Sequence, residues 1–504
     1  MPEYGFVIDQ RRCIGCHACT TACKSENEVP VGSFRTWVKY TEKGSFPDVR
    51  RHFSVLRCNH CDDAPCVSIC PVVALHKRPD AIVDLDKDLC IGCSSCIQAC
   101  PYDALYINED TGTAEKCHYC AHRTEIGLEP ACVVVCPEEA IVSGDMSDPA
   151  SPIAQLIAEQ PTSVRRPEKG TKPRTRYVDV LPESLDPAKA REPDQWIWSQ
   201  RRSQPSHVPG FNEALDVTTV LNVDHVPRWG WHIWSYLFTK NIAAGAMVVA
   251  PLLGMLGVAS GPLAPVPGGI VPELVALLFL AITGWLLIDD LQRPERFLKL
   301  IFHPNTKSWL VKGTWVLMAF GGLTTASLAA GLFGFEELVA PLRWVNLPVA
   351  AFASGYTALL FAQCRGRDLW IEPGLMLNLI ARAAMLGAGI AAMLPNAAHD
   401  GRPDALGLLA ALALANGLLL RAEMRRHGST EASRKAHELM LDALGKQVLT
   451  PWWAATATAL ACYVTLSPGS GAQVVSAVVL ATVSIVLFRF ERAWIRAAQK
   501  IPNS

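Results

Sequence analysis

Sixteen of the eighteen cysteines lie between Cys13 and Cys136, in four groups. The first is Cys13, Cys16, Cys19 and Cys23, spaced C-x2-C-x2-C-x3-C, and the third, Cys90, Cys93, Cys96 and Cys100, repeats that spacing. The second is Cys58, Cys61, Cys66 and Cys70; the fourth is Cys117, Cys120, Cys132 and Cys136, with an eleven-residue loop between its halves. Pro71, Pro101 and Pro137 follow the last cysteine of groups two, three and four, and Lys24 stands there in group one. A [4Fe–4S] cube needs four thiolates at the corners of a tetrahedron. A tight C-x2-C-x2-C loop wraps three around one cube, and the fourth cysteine, followed by proline, reaches the other cube of a pair. Sixteen thiolates at four per cube predict four [4Fe–4S] clusters.

Other cysteine chemistries fit less well. Disulfides require an oxidising compartment, and Met1 to Gln10 has no apolar h-region that would export the chain. Arg11-Arg12 is followed at once by Cys13 rather than by an apolar stretch, so it does not read as a twin-arginine signal. Structural zinc uses paired C-x2-C knuckles, not a triple with a trailing Cys-Pro. Cys13-Ile14-Gly15-Cys16-His17 matches a c-type haem attachment pattern, but group one already needs both cysteines. His60, His118 and His122 stand beside cluster cysteines and read as supporting or surface histidines.

The elements that must hold these groups show a repeat. Val7-Ile8-Asp9 leads into Cys13-Ile14-Gly15-Cys16, as Ile82-Val83-Asp84 leads into Cys90-Ile91-Gly92-Cys93. Short strands therefore precede the cluster loops, as in a duplicated two-cluster ferredoxin. The 504 residues suggest about three units. Charged residues are 18% and hydrophobic residues 50%, but long apolar runs fall almost wholly after Trp229. The net charge of −1 gives no general basis for nucleic-acid binding. The fold expected is an α+β, duplicated ferredoxin-like module over 1–145, an extended connector over 146–228, an all-α eight-helix transmembrane bundle over 229–490 and a basic tail over 491–504. The connector is rich in Pro, Arg, Asp and Ser without periodicity, and Trp196-Ile197-Trp198 is expected to pack it against the module.

A bilayer span needs about 20 mainly apolar residues. Eight stretches qualify: 231–258, 270–289, 312–333, 344–363, 374–395, 404–422, 451–467 and 472–489, the seventh being short. Eight spans return the polypeptide to the face that carries the cysteine module. Connections on that face hold Arg293, Arg296, Lys299, Lys307, Arg365, Arg367, Arg425, Arg426, Arg434, Lys435 and Lys446, and those on the other only Arg343 and Arg402. The positive-inside rule then predicts an inner-membrane protein with its cluster module on the cytoplasmic face. His232 lies at a helix start and His303, His399, His427 and His437 lie in connections, so no intramembrane histidine pair suggests haem b.

The four groups resemble the four-cluster iron–sulfur subunit of the dimethyl-sulfoxide-reductase, polysulfide-reductase and formate-dehydrogenase complexes. The long Cys120–Cys132 loop and the later Arg166-Pro167-Glu168-Lys169-Gly170-Thr171-Lys172-Pro173 carry that likeness. It implies that Cys13, Cys16, Cys19 and Cys136 hold one cluster, and Cys23, Cys117, Cys120 and Cys132 another. It likewise implies quartets of Cys58, Cys61, Cys66 and Cys100, and of Cys70, Cys90, Cys93 and Cys96.

The apolar half resembles the polysulfide-reductase (NrfD-type) membrane anchors. Trp229-Gly230-Trp231-His232 to Tyr236-Leu237-Phe238, with Ala243-Ala244-Gly245, is similar to their first helix, and Asp290-Leu291-Gln292-Arg293-Pro294 to their signature after helix two. Ser308-Trp309 with Gly313 and Trp315 fits the third helix, and Tyr356-Thr357 with Leu359-Leu360 the fourth. Lys240-Asn241 departs from the small residues usual before Ala-Ala-Gly. The resemblance implies a quinone site of His232, Tyr236, Asp290 and Tyr356 beneath the clusters. Lys240 and Arg382, charges inside the membrane, are candidates for a proton path, with Asp289 or Glu273 as the partner expected for Arg382. The function expected is electron transfer and membrane anchoring in a respiratory oxidoreductase complex, between a separate molybdenum or tungsten bis-pterin catalytic subunit and quinone. No flavin or nucleotide motif is present. Two alternatives compete: a proton-translocating module fed by a soluble donor, and a passive anchor without a quinone site.

Overall fold

The computed structural model describes residues 1–191, 195–196, 216–255, 270–393, 404–426, 428–445, 447–466 and 470–504. Ile197, Trp198, His399, Arg402, His427 and Lys446 lie outside them. The N-terminal strands are β1 (Tyr4–Asp9), β2 (Thr36–Ser45), β3 (Asp48–Arg57), β4 (Leu75–Lys77), β5 (Val83–Leu85) and β6 (Leu105–Asn108). They continue as β7 (Thr113–Lys116), β8 (Ile141–Asp145), β9 (Thr162–Ser163), β10 (Thr175–Val178), β11 (Gln195–Trp196) and β12 (Val217–Asn222).

Cysteine groups sit between strands. β1 leads into group one, β3 into group two, β5 into group three and β7 into group four. The strands that leave groups two, three and four are β4, β6 and β8, and they pair antiparallel with β5, β7 and β1. Each short ladder thus ties one cluster loop to the next. β1 is buried on both faces: Phe6 and Ile8 enter the main core, while Val7 packs with Ile153 and Val178. Ile153 comes from helix Pro152–Glu159, whose start is capped by Ser151 Oγ accepting from Ala154 N–H at 3.2 Å.

The stretch expected to be an extended connector is woven into this module instead. β10 pairs parallel with β1, and β12 pairs antiparallel with β2. Its composition hid these strands because they are short and their alternation is broken by Arg and Thr. Just before β10, the carbonyls of Lys172 and Thr171 accept from Asp62 and Asp63 N–H, clamping the Lys169–Pro173 segment over group two.

The membrane half comprises α1 (Trp231–Met255), α2 (Val271–Asp289), α3 (Trp309–Leu332), α4 (Glu336–Gly355), α5 (Leu375–Met393) and α6 (Asp404–Arg425), then the amphipathic α7 (Glu431–Leu444), α8 (Thr450–Thr465) and α9 (Ser470–Lys500). Among the described residues seven of these helices are long and apolar enough to cross a membrane; α8, at 16 residues, falls short of that set. Arg343, expected in a connection, lies inside α4 and is buried, because α4 begins at Glu336 rather than near 344. The basic tail is not free: α9 runs on to Lys500, and Asn503 enters the cysteine module, where its N–H donates to Asp103 at 2.7 Å. Gln499 joins the start of the first membrane helix to the end of the last, accepting from Trp229 N–H at 3.0 Å and donating to Trp229 O at 2.8 Å.

Candidate functional site

One backbone device recurs in all four groups. The residue before the second cysteine takes the left-handed conformation: Gly15 (φ 72°), His60 (φ 45°), Gly92 (φ 70°) and Tyr119 (φ 64°). Such turns aim successive amide N–H groups at one concavity, which suits an anionic ligand set. Amides do meet sulfur here: Ala140 N–H donates to Cys136 Sγ at 3.2 Å, and Leu75, Ala114 and Tyr119 N–H donate to Cys70, Cys90 and Cys117 Sγ at 3.5 Å. His60 is wholly buried and accepts from Val83 N–H at 3.1 Å; burial and nearby Lys116 hold its imidazole well below its usual range.

The thiols are gathered as quartets around small cavities. Cys13, Cys16, Cys19 and Cys136 line one, Cys23, Cys117, Cys120 and Cys132 a second, and Cys70, Cys90, Cys93 and Cys96 a third. Cys58, Cys61, Cys66 and Cys100 are mutual electrostatic neighbours. No three His, Cys, Asp or Glu side chains among the described residues converge closely enough for a single metal ion. Thiols around a cavity, with amides aimed at sulfur, fit a cube better than one zinc.

The quartets form a line. Cys19 neighbours Cys132, Cys117 neighbours Cys58, and Cys96 neighbours Cys66. At one end Cys16 is exposed; at the other Cys93 reaches the wall of a cavity in the membrane half. The two inner groups also form the joint with the bundle. Arg296 Nη1 donates to Lys87 O at 2.8 Å and Cys90 O at 3.0 Å, and Asn305 Nδ2 donates to Cys70 O at 2.7 Å. At Gly92 a Cβ would stand 2.6 Å from the Gln292 Cβ, so the cluster loop needs glycine both for its φ and for this contact.

The membrane cavity has a volume of about 570 Å³. Apolar side chains of α2 and α3, including Leu280, Leu287, Leu317 and Met318, make most of its wall; Tyr236, Asp290, Tyr356 and Cys93 add polar groups at one end. Gly313 makes room for Tyr356: a Cβ there would lie 2.0 Å from the ring. His232 does not line the cavity but stands behind Asp290, with Nδ1 at 3.2 Å from Asp290 Oδ1 and Nε2 at 2.9 Å from Asp289 Oδ2. Arg293 pairs with Glu295 at 3.4 Å, and Arg296 is turned to the cluster loop, so the ion pair of Asp290 is with His232.

Lys240 is buried below the two tyrosines. Its Nζ donates to Ser354 O at 2.9 Å and to Thr357 Oγ1, and stands 4.6 Å over the Tyr356 ring. It lies within electrostatic reach of Glu491. The partner expected for Arg382 is corrected. Arg382 binds Glu423 at 3.0 Å and Glu491 at 3.7 Å, while Glu273 forms a two-point pair with Arg343 at 2.7 and 2.9 Å and Asp289 belongs to His232. Glu423 and Glu491 were illegible because each ends an apolar run beside arginine, where a carboxylate reads as a surface residue. The signal available was their place at the cluster-side ends of two helices that must face Arg382. Along α4 the polar Arg343 and Asn346 are separated from Ser354 by Ala350 and Ala353, which join Ala243, Met247 and Phe320 in an apolar cluster.

Residues 49–146 match the 4Fe-4S dicluster domain family, and residues 220–498 match the family described as polysulphide reductase, NrfD. The sequence is 43% identical over 199 residues to a tetrathionate reductase subunit of Salmonella typhimurium, covering 38% of this protein and 80% of that one. It is 44% identical over 181 residues to a polysulfide reductase chain of Wolinella succinogenes, covering 35% and 94% respectively. A third relative is the arsenate respiratory reductase iron–sulfur subunit ArrB of Shewanella sp., 36% identical over 222 residues, covering 34% and 95%.

Proposed function

The protein belongs to the polysulphide reductase NrfD family, fused to a 4Fe-4S electron-transfer module, and from that premise we propose that it exchanges electrons with quinone in its own membrane cavity. One observation carries this reading: Cys93 of the innermost quartet stands on the wall of the same cavity as Tyr236, Asp290 and Tyr356. Four clusters held by the four quartets supply single electrons. A separate catalytic subunit of the molybdenum or tungsten bis-pterin class meets the outer end, where Cys16 is exposed. That the relatives are named as subunits or chains of reductases supports a separate catalytic subunit.

Reducing a quinone adds two electrons and two protons, and the proton handling falls to this chain's residues. The apolar wall takes the ring and its tail. Asp290, with His232 behind it, serves one quinone oxygen, since a carboxylate–imidazole pair passes a proton without building up net charge. Tyr356 and Tyr236 orient the headgroup, and Lys240 beneath them, with Glu491, Arg382 and Glu423, leads a second proton from the cluster face. The alanine band on α4 closes that file from the far side, which favours proton uptake on the cluster face over transmembrane pumping.

Eight crossings are supported by parity. Trp229 and Gln499 are bonded to each other, so the number of crossings between them is even, and α8 completes the seven longer helices. With the basic connections on the module side, the clusters face the cytoplasm of an inner-membrane protein.

The test is reduction of a short-chain quinone by purified protein that has been reduced with dithionite and separated from the excess, which would itself reduce quinone, with iron measured on the same samples. Asp290→Asn is expected to lower turnover roughly 10²-fold and Tyr356→Phe less, at unchanged iron. Unchanged turnover in both would leave a passive anchor. Proton uptake by sealed vesicles beyond the quinone stoichiometry would favour the energy-coupling alternative.

A further inference from the structure

Arg57 ends β3 immediately before Cys58, yet its side chain does not serve that quartet. It is wholly buried and runs between the two outer ones. Nη1 donates to Cys132 Sγ at 3.2 Å, and Cys117 and Cys19 are its next electrostatic neighbours. Cys132 and Cys117 belong to one quartet and Cys19 to the other. The guanidinium carbon lies 4.4 Å over the Phe6 ring, which fixes the plane of the fork. Nε and Nη2 have no hydrogen-bond partner.

A buried guanidinium needs a counter-charge, and the carboxylates buried in the module are engaged elsewhere. Glu115 is held by Arg35 at 2.9 Å and Lys87 at 2.6 Å, Asp9 by Arg11 at 2.7 Å, and Asp103 by Asn503 and Arg367. Among the described residues Arg57 forms no ion pair with a carboxylate. An unpaired buried charge is strongly destabilising. What faces Arg57 is thiolate sulfur. A cube held by four thiolates is negative in both working oxidation states and more so when reduced. A fixed cation and an N–H donor at sulfur therefore favour the reduced form, two of the levers that set cluster potentials.

We propose that Arg57 is the shared counter-cation of the two outer quartets and raises the reduction potentials of both clusters they bind. It acts as a positioning and tuning residue, between the two quartets at the end of the line where Cys16 is exposed. The inference rests on the reading that these quartets hold clusters.

The experiment is a redox titration, read by electron paramagnetic resonance, of the full-length protein and its Arg57→Lys, Arg57→Gln and Arg57→Met variants, with iron content on each. In Gln and Met, the reduced-to-oxidised ratio of two of the four clusters at a fixed poise should fall roughly tenfold, which is about 59 mV for a one-electron couple. The other two should stay in place, and Lys, keeping the charge, should remain near the unsubstituted protein. Full iron with every potential unmoved would overturn the proposal, as would Lys shifting as far as Gln. Should both neutral variants lose about half their iron while Lys retains all of it, the counter-charge role stands; iron loss in Lys as well removes it. A wild-type protein without iron would be a different failure, that of the cluster reading itself.

Discussion

The cysteine module and the membrane bundle both bury charge, and both pair buried arginine with carboxylate, as Arg35 with Glu115 at 2.9 Å in the module, but only the module also buries arginines without one. In the module, Arg57 and Arg165 are fully buried and neither forms an ion pair with a carboxylate among the described residues; Arg57 faces thiols, and Arg165 donates to Asn503 O at 2.8 Å. In the bundle, buried arginines are paired within the chain, Arg343 with Glu273 and Arg382 with Glu423 and Glu491. The difference follows from what each region contains. The module gathers thiol quartets, and clusters bound there would bring negative charge, so an arginine buried among them can do without a carboxylate. The bundle faces lipid, where nothing outside the protein can neutralise a charge, so each arginine brings its own carboxylate.

The comparison is easiest to break at the innermost quartet. Cys93→Ser should abolish quinone reduction while leaving the protein in the membrane, measured with reduced protein freed of excess reductant alongside membrane content. Turnover near the wild-type level would detach the cavity from the wire. Next in size is the pair on the far side: Glu273→Gln strands Arg343 in the bundle and should cost about 3–5 kcal/mol, read as loss of folded protein in detergent melts. Adding Arg343→Met should recover most of it, since removing both charges is far cheaper than removing one. If the double variant is no better than the single, the loss does not come from an uncompensated charge on Arg343.

A smaller effect sharpens the module's side. Burial first, and then neighbouring Arg165, push the Lys39 ammonium down from 10.5 to about 7. Unfolded, this lysine is charged below about 10.5, so the folded state loses stability as pH falls from there to about 7, and the loss is constant below. Lys39→Met should therefore raise the melting temperature at pH 7 and lose that advantage toward pH 10.5. An advantage independent of pH would show that packing, not charge, is the cause. Smallest of all, the exposed Arg51–Glu42 pair on the β2–β3 hairpin should contribute less than about 1 kcal/mol, so Arg51→Ala should leave the melting temperature almost unmoved.

Much of this was legible in the amino-acid order itself. Cysteine spacing is dictated by ligand geometry, and apolar length by bilayer thickness, so both survive as one-dimensional patterns. The resemblance grouped His232, Tyr236, Asp290 and Tyr356, and shared helix ends made that grouping plausible; three of them line one cavity and His232 stands behind Asp290. What stayed hidden was pairing across the sequence. β10 and β12 are four and six residues long and become strands only because β1 and β2 offer free edges. Arg343 sits inside a helix whose first turns, Glu336 to Arg343, are too polar to look membrane-embedded until Glu273 is brought opposite. Glu423 and Glu491 likewise acquire meaning only beside Arg382.

The bond from Asn503 to Asp103 spans 400 positions, and Gln499 grips both Trp229 and Gln98. In the order of synthesis, the module's cysteines emerge first, the connection that carries Arg296 and Asn305 follows, and Gln499 and Asn503 emerge last. The module is therefore held at two places far apart in the sequence, one made before the bundle is half complete and one that waits for its final helix.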